Sequence, residues 1–587
     1  MMPMDLDSDV DALPAAMGKV ASADKEKRLR RAAVEKILLL VAAVFFALHF
    51  VHLKADFPNH SPWMDWAKYT DEGWYGDAAI RHYELGHWNV PGDFNAAAAL
   101  PVWPALEMVV FRATGVSLVA ARALTVAVFG LILICGYGLI RRWSGGGGRV
   151  AAALGVLLLA VNPFCFVFSR LAILEPLLIL LTLVALLVGT AAGAASLQAW
   201  GAPGELVEQK VRLRAVLTAA GLGVVLPLMV LTKTTGLFLF PAVFWVMWAA
   251  TGYRLRALIR GAAVTCGVGA AVWGGYFLFF VRPRYMADYG YLFSANAYTG
   301  ISADTFWTVM RDALLDVSWI GFTLSVLAGV AVVGWIVALV LGMGRGGHPL
   351  VVALLLWVGG YGAFLAYHAN LQPRYYLVLA VPLMMLTALG VEAVFAAAVM
   401  RMGTVRAVAV GLCGVLGFVV VSGAVRTVGY VAHPEYGWWS AAQQVKGLVE
   451  REAAASRVKD GSAHSRLVLS ISGSDISLMT GLPSICDDFG VMPLAERVAA
   501  YKPGWFATWN DVEDDKMEAL APLYRLERVA TIPVFDDPDR NLLILYRLDA
   551  LSSPGRAGGR GRRRFLSVPK RLRTKVGEQP SAVQLRH

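Results

Sequence analysis

Asp65-Trp66-Ala67-Lys68-Tyr69-Thr70-Asp71-Glu72-Gly73-Trp74-Tyr75-Gly76-Asp77 follows almost at once the first long apolar run of the chain, Val34 to Leu53. That order puts its carboxylates at a membrane surface, where an unpaired charge is costly and usually has a task. Asp71 and Glu72 are the pair singled out for chemistry. Trp66, Trp74 and Tyr75 interleave with them, as amphipathic rings do at headgroup level. From the stretch alone, an interfacial loop of solvated acids is an equally good reading.

The composition supports the membrane setting. Hydrophobic residues make up 57% and charged residues 16% of 587, against a charged share of about 25% in soluble domains. Mean hydropathy is +0.57. A fully soluble chain is excluded, and a polytopic membrane protein is implied. The five cysteines are scattered without a CxxC pair, so they read as core fillers rather than zinc ligands or a disulfide framework. The net charge of +11 is read as topology-setting and lipid-facing charge, with no nucleic-acid partner.

Residues 1–33 read as a disordered cytoplasmic lead, and residues 34–428 as the transmembrane domain, including a first outer loop at 54–117. The run at Val34 is too long for a signal-peptide core and lacks a small-residue cleavage site after it, so it reads as a signal anchor. Lys25, Lys27, Arg28, Arg30, Arg31 and Lys36 precede or open it and predict a cytoplasmic N-terminus. Ten further apolar runs are predicted as spans, near 118–140, 150–168, 173–196, 215–232, 235–252, 262–281, 317–341, 349–367, 375–398 and 405–425, giving about eleven. An odd count places the remainder of the chain outside the cytoplasm.

From 433 to 550 charges return. Short β-rich runs at 466–471, 505–508, 524–532 and 541–546 alternate with helical or turn-rich stretches, predicting a small α/β extracytoplasmic domain. Residues 551–587 read as a disordered basic tail whose partner is an anionic lipid or polymer surface. The expected location is the inner (plasma) membrane.

Further charges fall in the predicted outer turns. Arg170 and Glu175 flank Leu171-Ala172-Ile173-Leu174, ahead of Pro176, and pairing between the two is an alternative to a functional role. Lys233 and Arg374 run against the positive-inside bias. An anionic group at the lipid boundary supplies a reason for both, and snorkelling to headgroups supplies another. Arg282 and Arg284 sit in a longer outer loop whose Tyr285, Tyr289, Tyr291 and Tyr298 suit either a cleft lining or an aromatic belt, with the belt the favoured reading.

Taken in order, Asp71-Glu72-Gly73-Trp74-Tyr75-Gly76-Asp77-Ala78, Pro101-Val102-Trp103-Pro104, Gly115 with Ala121-Arg122, Ser169-Arg170 with Glu175-Pro176, Thr232-Lys233 with Pro241, and Arg374-Tyr375 with Pro382 resemble the GT-C glycosyltransferases that use polyprenyl-phosphate sugars. The likeness is to the protein O-mannosyltransferase and aminoarabinose transferase group, over residues 35 to 400. It implies a mainly α, polytopic GT-C-like fold and inverting transfer of a sugar from a polyprenyl-phosphate donor to an extracytoplasmic acceptor, whether protein, glycolipid or cell-envelope glycan.

The resemblance further implies Asp71 as base with Glu72 in support, and Lys233, Arg374 and Arg170 at the donor phosphate. Glu175, Tyr75 and Asp77 are then acceptor, substrate or metal candidates. A divalent cation is compatible with this pattern but not required by it. Two other classes stay open from sequence: a lipid or solute transporter or flippase, and a non-catalytic membrane scaffold.

Overall fold

The computed structural model describes residues 12–551 except 59–60, 145–147, 202–207, 296–299, 316–318, 343–348, 369–370, 401–402 and 461–463. Beyond Leu551 the predicted basic tail lies outside the described residues, as do residues 1–11. Helix α1 (Ala12–Leu48) begins inside the stretch expected to be disordered. Its Ala, Lys, Glu and Arg content favours helix, and Glu26 and Arg30 pair one turn apart at 2.5 Å. The helix of the membrane anchor therefore propagates backwards.

Two shorter helices, α2 (Asp71–Leu85) and α3 (Val102–Thr114), interrupt the apolar series. The bundle continues with α4 (Leu118–Ser144), α5 (Arg149–Val161), α6 (Pro163–Phe168), α7 (Leu174–Trp200), α8 (Gln209–Thr232), α9 (Phe240–Ala250), α10 (Leu255–Tyr276) and α11 (Arg282–Arg284). It closes with α12 (Met286–Ala295), α13 (Ala303–Leu315), α14 (Phe322–Val340), α15 (Pro349–Tyr367), α16 (Leu377–Met400) and α17 (Thr404–Ala432).

Eight helices among the described residues are long and apolar enough to cross a membrane, which makes this a multi-pass membrane protein. The other three expected spans fall on α1, which carries Glu35 and Lys36, and on two shorter apolar helices, Arg149–Val161 and Thr234–Ala250. Helix α5 stops at Asn162-Pro163, where Asn162 accepts hydrogen bonds from the Phe164 and Cys165 amides and Pro163 opens α6.

Helices α5, α7 and α16 form the interior, and every residue from Ala151 to Val161 is buried. The apolar helices α10, α14 and α17 stay largely exposed. An apolar surface of that length is the face a bilayer covers.

After α18 (Gly437–Asp460), a small domain is built on β1 (Val468–Leu469), α19 (Gly473–Thr480), β2 (Ser484–Ile485), α20 (Leu494–Tyr501), β3 (Trp505–Trp509), α21 (Asp514–Leu520), β4 (Tyr524–Pro533) and β5 (Leu542–Ala550). The sheet order is β2-β1-β3-β5-β4. Strand β1 runs parallel to β2 and β3, while β5 is antiparallel to both β3 and β4.

This domain rests directly on α2. A Cβ at Gly73 would lie 2.2 Å from the backbone of Ser474 and Asp475, so only a glycine admits α19 at this distance. Three residues along, a Cβ at Gly76 would meet the Glu107 carboxylate at 2.2 Å. Helix α2 is thus wedged between α3 and the C-terminal domain.

Candidate active site

The loop before α2 and the short 3-10 turn Pro373–Tyr376 before α16 meet through one guanidinium. Asp65 caps the turn Trp66–Lys68 by accepting from the Ala67 amide at 2.8 Å. Its carboxylate also accepts from the Arg374 backbone N–H at 2.9 Å and pairs with Arg374 Nη1. The Trp66 amide donates to Gln372 Oε1 at 3.2 Å and ties the two loops again. Asp65 therefore fixes how Arg374 points.

The other end of the guanidinium reaches Asp71, with Nη2 2.5 Å from Oδ2. That contact is a charge pair without hydrogen-bond alignment, because Oδ2 has no hydrogen-bond partner. Asp71 stands in the first turn of α2, where the helix dipole favours a carboxylate. Burial nevertheless pushes its carboxyl up to about 6, against the pull of Arg374 and with the push of Asp65 and Glu175. A carboxyl so poised is mostly ionised at neutral pH and takes a proton readily.

Behind Arg374 lies a second buried pair. Lys233, just past α8, binds Glu175 in the first turn of α7, and Arg374 Nε is 3.8 Å from the same Glu175 oxygen. The Lys233 ammonium stands 4.0 Å over the Tyr375 ring, with the Arg374 guanidinium 4.9 Å from the same ring. Three carboxylates (Asp65, Asp71 and Glu175) and two cations thus share one buried cluster.

The remaining predicted residues are held elsewhere. Glu72, next to Asp71, points to a different side of α2. There it receives Arg122 Nε and Nη2 at 2.8 and 2.5 Å and the Ala172 amide at 2.8 Å. Arg170 donates to the carbonyls of Val51 and His52 at 2.5 and 2.9 Å and covers the Phe166 ring. It pairs neither with Glu175 nor with Asp71. Asp77 pairs with Arg81 at 2.8 Å and accepts from Ser474 Oγ at 2.8 Å, which fastens α2 to α19.

Asp71, Tyr75 and Arg374 line one wall of a cavity of about 310 Å³ between α2, the 373–376 turn and the C-terminal domain. Trp66, Tyr69, Trp74, Phe94, Tyr291, Tyr375, Phe489 and Trp509 give it aromatic walls. On the far side stand Asp487, Asp488, Glu513, Lys516 and Arg540, all from the C-terminal domain. Lys233 and Glu175 sit one layer behind, not on the lining. Among the described residues no group of three or more His, Cys, Asp or Glu is arranged to hold a metal ion.

Sequence reasoning missed Asp65 as a partner of Arg374, although it opens the stretch that carries Asp71. It also missed the wall supplied by the C-terminal domain. The signal for the first was a third acid six residues before Asp71. For the second it was the pair Asp487-Asp488 beside Phe489.

No family model matches the chain, and neither does any curated protein. Solved structures do. ArnT from Cupriavidus metallidurans bound to undecaprenyl phosphate superposes with a TM-score of 0.55 at 15% identity, over 87% of this chain and 98% of that one. The archaeal oligosaccharyltransferase AglB from Archaeoglobus fulgidus, in complex with an inhibitory peptide and a dolichol-phosphate, reaches 0.49 at 13% identity over 82% and 69%. The S. cerevisiae protein O-mannosyltransferase Pmt1-Pmt2 complex bound to the sugar donor gives 0.30 at 18% identity over 42% and 34%. All three belong to the GT-C superfamily. The likeness to ArnT identifies the GT-C fold in this chain, as the sequence motifs imply.

Proposed function

We propose that this GT-C fold transfers a sugar from a polyprenyl-phosphate donor to an acceptor outside the cytoplasm, with inversion at the anomeric carbon. The observation that carries the reading is Asp71: a buried carboxylate paired with Arg374 on the wall of a cavity large enough for a sugar ring. In this reading the N-terminus lies in the cytoplasm and the C-terminal domain outside it. The fold shared with ArnT, whose structure holds undecaprenyl phosphate, supports a lipid-phosphate donor.

The chemistry follows from the charges. The acceptor oxygen or nitrogen forms a bond to the anomeric carbon as its proton passes to Asp71. The bond from that carbon to the phosphate oxygen breaks, and the phosphate leaves with the electron pair. Arg374 stabilises the charge growing there, held in aim by Asp65. Lys233 acts through Glu175, whose charge it neutralises so that Arg374 is not drawn away from the cavity. Glu72 and Asp77 act as fasteners of α2, and Arg170 as a fastener of the loop after α1. A prenyl tail needs only the apolar flank of the bundle, since each buried CH₂ contributes about 0.8 kcal/mol.

The test incubates purified protein with a panel of polyprenyl-phosphate sugars and an acceptor extract, and follows release of free carrier phosphate by mass spectrometry. Release with the native chain and its loss in Asp71→Asn is the expected result. Equal release by both proteins removes Asp71 as the base. Movement of labelled lipid across a bilayer without any release favours a flippase.

A further inference from the structure

The far wall of the cavity is as carefully built as the near one. The loop Cys486-Asp487-Asp488-Phe489-Gly490 is held by Arg497, itself 1% exposed. Arg497 Nη1 donates to the carbonyls of Cys486 at 2.6 Å and Phe489 at 3.0 Å, and Nη2 donates to that of Asp488 at 3.3 Å. The same Nη1 lies 2.7 Å from Asp93, which also pairs with Arg81 of α2 and accepts from the Cys486 amide at 3.0 Å. A Cβ at Gly490 would strike the guanidinium at 2.5 Å. The loop is thus pinned to the helix that carries Asp71.

What it presents is an acid without a full set of partners. Asp487 is 3% exposed, lines the cavity, and its Oδ1 has no hydrogen-bond partner. Lys516 is the neighbouring cation and its charge pulls on Asp487, but its ion-pair contacts within 4 Å go to Asp515, Glu513 and Asp488 at 3.1, 3.3 and 3.9 Å. Phe489 next door meets the Trp74 ring at 6.0 Å, and Trp74 meets Phe94 at 5.5 Å. A carboxyl oxygen beside aromatic faces is the pairing that takes a sugar ring, hydroxyls to the acid and C–H face to the rings. Burial pushes the Asp487 carboxyl up to about 7, so near neutral pH it both accepts and donates.

We propose that Asp487 is a specificity residue that hydrogen-bonds a hydroxyl of a carbohydrate ring seated against Phe489 and Trp74. This rests on the sugar-transfer reading for its place in a reaction, but not for its existence as a subsite. The ring belongs either to the lipid-linked donor or to a carbohydrate acceptor, and both offer the same hydroxyls. A site with a buried polar group of this kind rejects ligands that lack the matching hydroxyl, because the acid is then left unpaired.

The experiment uses the full chain in detergent and three probes: bare undecaprenyl phosphate, the same lipid bearing single hexoses or pentoses, and free methyl glycosides added over saturating bare lipid. Dissociation constants are measured for the native protein, Asp487→Ala and Asp487→Asn, with thermal unfolding as the folding control. The expected result is that Asp487→Ala weakens binding of one sugar-bearing probe about tenfold while bare lipid binds as before, with Asp487→Asn falling between. Loss confined to the lipid-linked sugar assigns the ring to the donor, and loss with the free glycoside assigns it to the acceptor. Sugar binding by Asp487→Ala equal to native, or an equal loss for bare lipid, overturns the proposal. Glycoside binding that depends on Asp487 in a protein with no affinity for any polyprenyl phosphate keeps the subsite and removes the donor reading.

Discussion

Replacing Arg374 by Gln tests the electrostatics at the centre of the site, because Arg374 is the cation that keeps Asp71 ionised. With the carboxyl at about 6, Asp71 is about 90% ionised at pH 7 and about 10% at pH 5. A base must be deprotonated to act, so kcat/KM rises with pH through an acid limb near 6 and falls about tenfold per unit below it. Nη2 of Arg374 lies 2.5 Å from Asp71 Oδ2. At an effective dielectric of about 20, a pair with charge centres about 4 Å apart is worth about 4 kcal/mol, or about three pKa units.

Without the guanidinium, Asp65 and Glu175 still push Asp71 upward. The limb of Arg374→Gln therefore moves up by two units or more, to about 8 or beyond, and raising the assay pH from 7 to 9 restores much of the lost rate. The assay is initial release of carrier phosphate from the donor that the native protein uses, across pH 4.5 to 9.5. Weaker donor binding lowers the height of the profile but does not move its limb, so the two roles of Arg374 separate. An acid limb that stays in place in Arg374→Gln refutes the coupling, and a native profile flat from pH 5 to 8 refutes Asp71 as the base.

Three further outcomes rest on the packing. Lys233→Ala leaves buried Glu175 with only Arg374 Nε, 3.8 Å away, as a cation partner, costing about 3 kcal/mol of stability; the double variant with Glu175→Gln recovers most of the melting temperature if the pair is the reason. Glu72→Gln disrupts the Arg122 clamp, lowering the melting temperature by several degrees while the acid limb of the pH profile stays where it is. A limb that moves would return Glu72 to the catalytic pair. Gly73→Ala forces α2 and α19 apart, so limited proteolysis should release the C-terminal domain faster at a cost of about 1–3 kcal/mol; unchanged protease resistance would show that the close approach is not needed.

The order of apolar runs was readable because a span is a local property: about twenty apolar residues are enough to define one, whatever they pack against. The α/β character of the C-terminal domain was readable for a related reason, since β3, β4 and β5 are long enough to show their pattern. Strand β2, only Ser484–Ile485, exists by pairing with β1, and no two-residue pattern announces it. From Ala12 on, the N-terminal lead is helical and continuous with the anchor.

Adjacent acids show where sequence stops. Asp71 and Glu72 are neighbours in the chain, yet on a helix consecutive side chains diverge by about 100°, so one faces the cavity and the other the Arg122 clamp. Which acid faces the cavity is thus a matter of how α2 is turned, and that is set by Gly73 against α19 and Gly76 against Glu107. By itself the sequence determined the membrane class, the resemblance to GT-C enzymes and the stretch that carries Asp71. Tertiary structure alone decided that Arg374, some three hundred residues later, is the cation Asp71 meets, and that the C-terminal domain closes the cavity, because burial and charge pairing depend on what lies across the gap rather than on what comes next in the chain.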